Sequence, residues 1–289
     1  MHTRQFFCEN PDFWVQSLPD HVKFGVRRSA LETSDTFRDM FSYCDQGFML
    51  VARGSTDALE LDEPTESLQT LLYLLHSPPA PPSLSLTAHE RRRRGSPVSK
   101  YGGSIIPYPL LPEMLRLADK YVLSDPLTRS LHSHLLANAS ISPLKVYSFA
   151  LANRFQDVVA EASAYLLHPP LSSYSREEIA SIPSAAAYHD LVRLHAFRIK
   201  HLKRIVLNED VFPFGYGVCP THQKSTTRMW NGRRMYLATQ VEAATDLAAE
   251  MSVLLQQVAS CQTCYRACKA AIEMLEYKCQ RIARTIDCL

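Results

Sequence analysis

The run FWVQSLPDHVKFGVRRSALETSDTFRDMF, from Phe13 to Phe41, decides how the N-terminal half is read. Phe13-Trp14-Val15 opens an extended run, Ser17 to Asp20 is a polar turn, and Val22-Lys23-Phe24-Gly25-Val26 alternates apolar with polar or small residues. Alternation at a period of two sends successive side chains to opposite faces, so the two runs predict a pair of strands closed as a hairpin. Ala30, Leu31, Ser34, Phe37, Met40 and Phe41 then recur at helical spacing and predict one helix with one buried stripe. Nothing in the stretch is equipped for catalysis.

Downstream, Leu59-Glu60-Leu61-Asp62-Glu63-Pro64 reads as a short strand entering a turn, and Leu68, Leu71, Leu72 and Leu75 line one side of a helix ending at His76, before Pro78-Pro79. Leu111 to Tyr121 is a helix with Pro112 in its first turn, and Leu127, Leu131, Leu135 and Leu136 supply a partner helix. Ile141-Ser142-Pro143 then leads a helical stretch from Leu144 to Leu166.

This succession resembles a BTB (POZ) domain. That family opens with an Asp-led strand, a turn, a strand ending Phe-x-Val-His-(Arg/Lys), and a helix carrying Leu-x-x-x-Ser-x-x-Phe-x-x-Met-Phe. Here Asp12 heads the first strand, Phe24-Gly25-Val26-Arg27-Arg28 fills the strand end with Arg27 in place of His, and Leu31, Ser34, Phe37, Met40 and Phe41 match the helix. The resemblance implies an α+β fold: a BTB/POZ-like small sheet with packed helices over residues 10–138, followed by a mainly α-helical region over 140–289. It also implies a protein-interaction module, with Phe13, Trp14, Val15, Ala30, Leu31, Phe37, Met40 and Phe41 as core or dimer contacts. Its partners would be a second copy or a cullin-type scaffold engaged near Tyr43, Phe48 and Met114. The first matched strand lies only about a dozen residues from the start, so the extra N-terminal elements of many family dimers are expected to be missing or reduced.

Residues 78–106 interrupt the matched blocks. Pro78, Pro79, Pro81 and Pro82 remove backbone donors, the rest is rich in Ser, Gly and Arg, and the expectation is a solvated loop. Arg91, Arg92, Arg93 and Arg94 run together ahead of Gly95-Ser96-Pro97, a pattern open to nuclear import, phosphate contact or phosphorylation at Ser96. A second basic segment holds Arg193, Arg198, Lys200, Lys203 and Arg204 without an acid between them. Its plain reading is a packed helix with a solvated cationic side, and its alternative is a nuclear regulator's nucleic-acid face.

The whole chain has 289 residues, 46% of them hydrophobic, and a formal net charge of +2, too balanced to require a polyanionic partner. No window approaches the ~18–20 apolar residues of a membrane span, and the N-terminus lacks the apolar run of a secretory signal. An intracellular protein of cytoplasm or nucleus, without a membrane partner, is expected.

The C-terminal third carries the one constellation with chemistry. Cys219-Pro220-Thr221-His222 and Cys261-Gln262-Thr263-Cys264 are two half-sites with two-residue gaps, and Cys219, His222, Cys261 and Cys264 together make a candidate structural zinc site. A helical run from about Thr239 to Val258 is expected between them, and Tyr216 to Trp230 is expected to be irregular. The competing reading takes Cys261, Cys264 and Cys268, spaced by three and four, as buried apolar thiols on one helix face with Ala271, Ile272 and Leu275. Glycine-rich phosphate loops, His-Glu-x-x-His helices and Gly-x-Ser-x-Gly elbows are absent. His21, His132, His134, His189 and His195 fall on expected loops or helix surfaces. The sequence therefore reads as non-catalytic, with no cofactor required beyond the candidate zinc.

Overall fold

The computed structural model describes residues 6–47, 58–84, 101–102, 104–211 and 219–289. The chain is α+β, a three-stranded sheet within a mainly helical fold. Contacts divide it into two units, one of residues 1–83 with 101–138 and one of 84–100 with 139–289.

In the first unit, β1 (Phe13–Ser17) is the central strand, antiparallel to β2 (Lys23–Val26) and parallel to β3 (Leu59–Leu61). Val15, Phe24 and Val26 point into the core while Trp14 stays 50% exposed on the other face, opposite Gly25. Glycine is required there, because a Cβ at position 25 would lie 2.8 Å from Pro11. Asp12 accepts the Arg28 N–H at the start of the following helix, and Asp20 in the hairpin turn accepts the Thr65 N–H. The polar residues around the hairpin thus satisfy helix N-termini far along the chain.

The single helix expected over Ala30 to Phe41 is two. α1 (Arg28–Leu31) ends at Glu32, and α2 (Asp35–Gly47) starts after Ser34. Ser34 breaks the run because its hydroxyl accepts from Phe37 N–H and donates to the Tyr121 carbonyl, a capping role that competes with continued helix. Leu31, Phe37 and Phe41 are buried, with Phe37 stacked on Tyr121 at 5.4 Å; Phe13, Ala30 and Met40 are only half-buried. α3 (Thr65–His76) turns five leucines inward and packs against α4 (Leu111–Lys120), which packs on α5 (Asp125–Asn138).

Only the ends of the expected loop at 78–106 are described. β4 (Ser83–Leu84) and β5 (Tyr101–Gly102) pair as a short ladder, so the segment is structured at its mouth. Ser130 and His134 of α5 donate to the Pro79 and Ala80 carbonyls, while His134 and Asn138 accept from Ile106 and Tyr108 N–H. His134, expected on a surface, is 1% exposed, because a stripe of polar side chains four residues apart takes up the backbone groups of both flanks.

The second unit is helical. The stretch expected as one helix from Leu144 to Leu166 is α6 (Pro143–Ala152) and α7 (Gln156–Tyr165). Arg154 adopts φ 61° between them, Phe155 N–H reaches back to the Ala150 carbonyl and Arg154 N–H to that of Leu151, a Schellman ending. The short α8 (Arg176–Ala180) opens with a Ser175–Glu178 capping box, and the 24-residue α9 (Ala185–Asn208) starts at Ser184, whose hydroxyl accepts from Ala187 N–H. α10 (Gln223–Gln240) occupies most of the segment expected to be irregular. The helical run expected from Thr239 is broken at Val241, where Thr245 accepts the Glu242 N–H and Asp246 caps α11 (Leu247–Ser252). α12 (Leu254–Gln257) and α13 (Gln262–Gln280) complete the unit. One core cluster of this unit gathers Trp230, Leu237, Met251, Cys268 and Leu275 together with Cys219 and Cys264.

Candidate metal centre

α10 and α13 have N-termini of an unusual kind. His222 is the N-cap of one and Cys261 of the other, and neither first turn holds an acid. Orphan N–H groups at a helix start need acceptors, and here sulfur supplies them. His222 N–H donates to Cys219 Sγ at 3.2 Å, and the Cys264 N–H donates to the Cys261 sulfur.

The two turns meet. Cys219 Sγ lies 3.6 Å from His222 Nδ1 and 3.7 Å from Cys261 Sγ, and one ligand atom from each of Cys219, His222, Cys261 and Cys264 falls within 4.8 Å of all the others. Around a tetrahedral ion with bonds of about 2.3 Å to sulfur and 2.0–2.1 Å to nitrogen, neighbouring ligands are separated by about 3.8 Å (S to S) and about 3.5 Å (S to N). Two of the cluster's edges already have these lengths; the longest needs to contract.

The electrostatics favour thiolate. The Cys264 N–H and then His222 lower the Cys261 pKa to about 6, and the His222 N–H lowers that of Cys219. Hydrogen bonding to Cys261 and Cys219 raises His222 in turn. Negative sulfur beside a ring that welcomes positive charge is a site in which a divalent cation can take the proton's place. Cys264 differs: burial pushes its thiol up to about 11, against the pull of a hydrogen bond from Thr226. Cys219 and Cys264 are buried, Cys261 is half-buried and His222 exposed, so the cluster is closed on the core side and open at the imidazole.

The four residues singled out by spacing are therefore brought together in an arrangement that could hold a metal ion. The alternative reading holds for part of the same helix, since Cys268 is a buried thiol beside Ala271, Ile272 and Leu275, with its pKa raised to about 11 by burial. Thr226 escaped the sequence reading, although it stands four residues after His222 and so faces the same way.

The basic segment is corrected at its centre. Arg198 is 3% exposed rather than part of a solvated cationic face. Its Nε donates to the Ala243 carbonyl at 2.7 Å, and one terminal nitrogen donates to Ala283 at 2.9 Å and Ile282 at 3.3 Å. The buried stripe of α9 runs Leu191, Leu194, Arg198, Leu202, Val206, and position 198 falls on it by helical geometry whatever its charge. Burial lowers the Arg198 pKa to about 10, still far above neutrality. Lys200 and Arg204 are exposed and Lys203 half-buried. Arg91 to Arg94, Ser96 and Phe48 lie outside the described residues.

The accepting carbonyls follow the C-termini of α10 and α13, whose N-termini meet at the cysteines. Both helices thus run from the cluster toward Arg198. In comparisons with known proteins, no family model, no curated protein and no solved structure matches the chain.

Proposed function

We propose that the protein is a non-catalytic interaction scaffold, in which a BTB-like N-terminal unit offers the contact surface and a structural zinc ion closes the C-terminal helical unit. The observation that carries the zinc reading is the four-ligand set of Cys219, His222, Cys261 and Cys264. Three sulfurs and one nitrogen suit Zn²⁺, and four protein ligands complete a tetrahedron without leaving a position for substrate. N–H donors aimed at sulfur add to this, because neutral thiols in a core have no need of them.

The BTB-like reading is supported by element order: strand, turn, strand, helix, a Leu59–Leu61 strand, a Glu63-Pro64 turn, then helices. The turn's acid has a physical role. Glu63, with a side chain 2% exposed, holds Arg116 at 2.8 Å and Lys120 at 2.6 Å, which joins the turn to α4. Trp14 at 50% and Tyr43 at 79% exposed are among the aromatic groups this unit offers to a protein partner.

Full-length protein purified without chelator is expected to carry about one zinc ion per chain, with the Cys261→Ala variant near zero. Zinc-free protein with intact thiols removes the metal from the proposal. Proximity capture tests the scaffold reading: Trp14→Ser should lose direct partners while keeping its fold, and an unchanged partner set counts against this surface.

A further inference from the structure

The cluster's three sulfurs are not equivalent. Cys264 is 1% exposed and takes a hydrogen bond from Thr226. Cys261 is half-buried, next to exposed His222, and is the thiol a small oxidant reaches first. Its sulfur sits 3.7 Å from that of Cys219, across a sequence separation of 42 residues. Two-residue gaps separate the residues within each half-site; the Cys264 sulfur lies within 4.8 Å of the other two, and the pair at 3.7 Å joins one half-site to the other.

We propose that Cys219 and Cys261 are a peroxide-oxidation site, forming a disulfide that replaces the metal as the link between the two half-sites. The proposal rests on the metal reading above for its consequence, zinc release, and on the chain's own geometry for its pairing. In the first step the Cys261 sulfur attacks hydrogen peroxide; an S–O bond forms, the O–O bond breaks, and hydroxide leaves to be protonated to water. In the second the Cys219 sulfur attacks Cys261; the S–S bond forms, the S–O bond breaks, and a second hydroxide leaves as water. Two thiolates have lost two electrons and one peroxide has gained them. With two of its four ligands spent, the site releases Zn²⁺, and His222 is free to take a proton.

The choice of pair has a structural consequence. A disulfide inside one half-site, Cys261 to Cys264, would leave the half-sites unlinked. Cys219 to Cys261 keeps the beginnings of α10 and α13 joined by a covalent bond, so oxidation expels the metal without opening the unit, and thiol reductant with zinc restores the starting state.

Full-length protein with its zinc content measured beforehand is titrated with hydrogen peroxide, reading zinc release with a chromogenic chelator and cysteine state by peptide mass spectrometry. The expected result is a two-hydrogen mass loss in a Cys219–Cys261 cross-linked peptide pair, appearing in proportion to zinc released and reversed by reductant plus zinc. A Cys268→Ser variant, altered outside the ligand set, should behave like the parent and controls for thiol loss in general. Zinc-loaded protein giving Cys261–Cys264, or sulfinic acid at Cys261, or keeping its zinc through the titration, overturns the proposal. Protein that starts without zinc yet forms the Cys219–Cys261 bond overturns the metal reading alone and supports the pairing.

Discussion

Replacing Arg198 with methionine separates a buried structural cation from a solvated one. Methionine fills much of the same volume but donates nothing, so the carbonyls of Ala243, Ile282 and Ala283 lose the partner that holds them at 2.7–3.3 Å. Each bond to a charged group contributes about 1.5–3 kcal/mol, and each orphaned buried acceptor costs about 1–3 kcal/mol. Relief from burying the cation offsets part of this, leaving a net loss of about 3 kcal/mol from hydrogen bonds lost and carbonyls left unpaired. A surface arginine would change stability by about 0.5 kcal/mol or less. Trp14 and Trp230 are the chain's two tryptophans, one in each unit. A Trp14→Phe background therefore leaves Trp230 fluorescence to follow urea unfolding of the helical unit alone. Arg198→Met should shift the midpoint down at unchanged slope, and Arg198→Lys should fall between, since an ammonium group lacks the guanidinium fork. A loss below about 1 kcal/mol with the slope unchanged would refute the structural role of Arg198.

Glu63 gives a pH-dependent test. Burial opposes its charge, yet hydrogen bonds and attraction from Arg116 and Lys120 prevail and lower its pKa below 4.5. The stabilisation is therefore present above the unfolded-state pKa and is lost as pH falls through the lower folded value. Glu63→Gln should cost about 1–2 kcal/mol at neutral pH and flatten the acid limb of stability against pH; an acid limb identical to the parent's would place the effect elsewhere. Val122 adopts φ 44° at the end of α4 with its side chain 50% exposed, a β-branched residue in the left-handed region. Relief of about 1–2 kcal/mol of strain, less about 0.5–1 kcal/mol of glycine's entropy, predicts that Val122→Gly raises stability by up to about 1.5 kcal/mol. A lower thermal midpoint in calorimetry would contradict that sign.

What the sequence discloses depends on how far apart the partners are. The hairpin, α3, α4 and the Pro143 helix start were legible because alternation, leucine spacing and proline act within one element. The break at Ser34 was not, since the hydroxyl's acceptor is Tyr121, 87 residues away. His134 was read as a surface residue for the same reason: the backbone groups that need it belong to residues 80 and 106. Arg198 was legible in principle. Its position four after Leu194 and four before Leu202 placed it on the buried stripe, and reading its charge ahead of its phase gave the wrong face. At the candidate metal centre the two-residue gaps were enough to name the four residues that cluster, while the meeting of the half-sites depends on a fold that the gaps do not encode.

The cluster and Arg198 become one feature when the direction of the helices is considered. α10 and α13 have 18 and 19 residues and both point from the cysteines toward Arg198, so their dipoles are aligned, with like partial charges at each end. Left alone, that arrangement is repulsive. Three thiolates, a neutral imidazole and Zn²⁺ carry one net negative charge, and they would sit where both helices are positive. A guanidinium without a carboxylate partner among the described residues sits where both are negative, its Nε and one terminal nitrogen donating to the carbonyls just beyond the helix ends. With the metal bound, an anion at one end and a cation at the other would convert the repulsion of aligned helices into attraction at both. This would give a reason for a buried arginine whose acceptors among the described residues are backbone carbonyls, and for two helix starts that use sulfur where serine, threonine or aspartate usually serves.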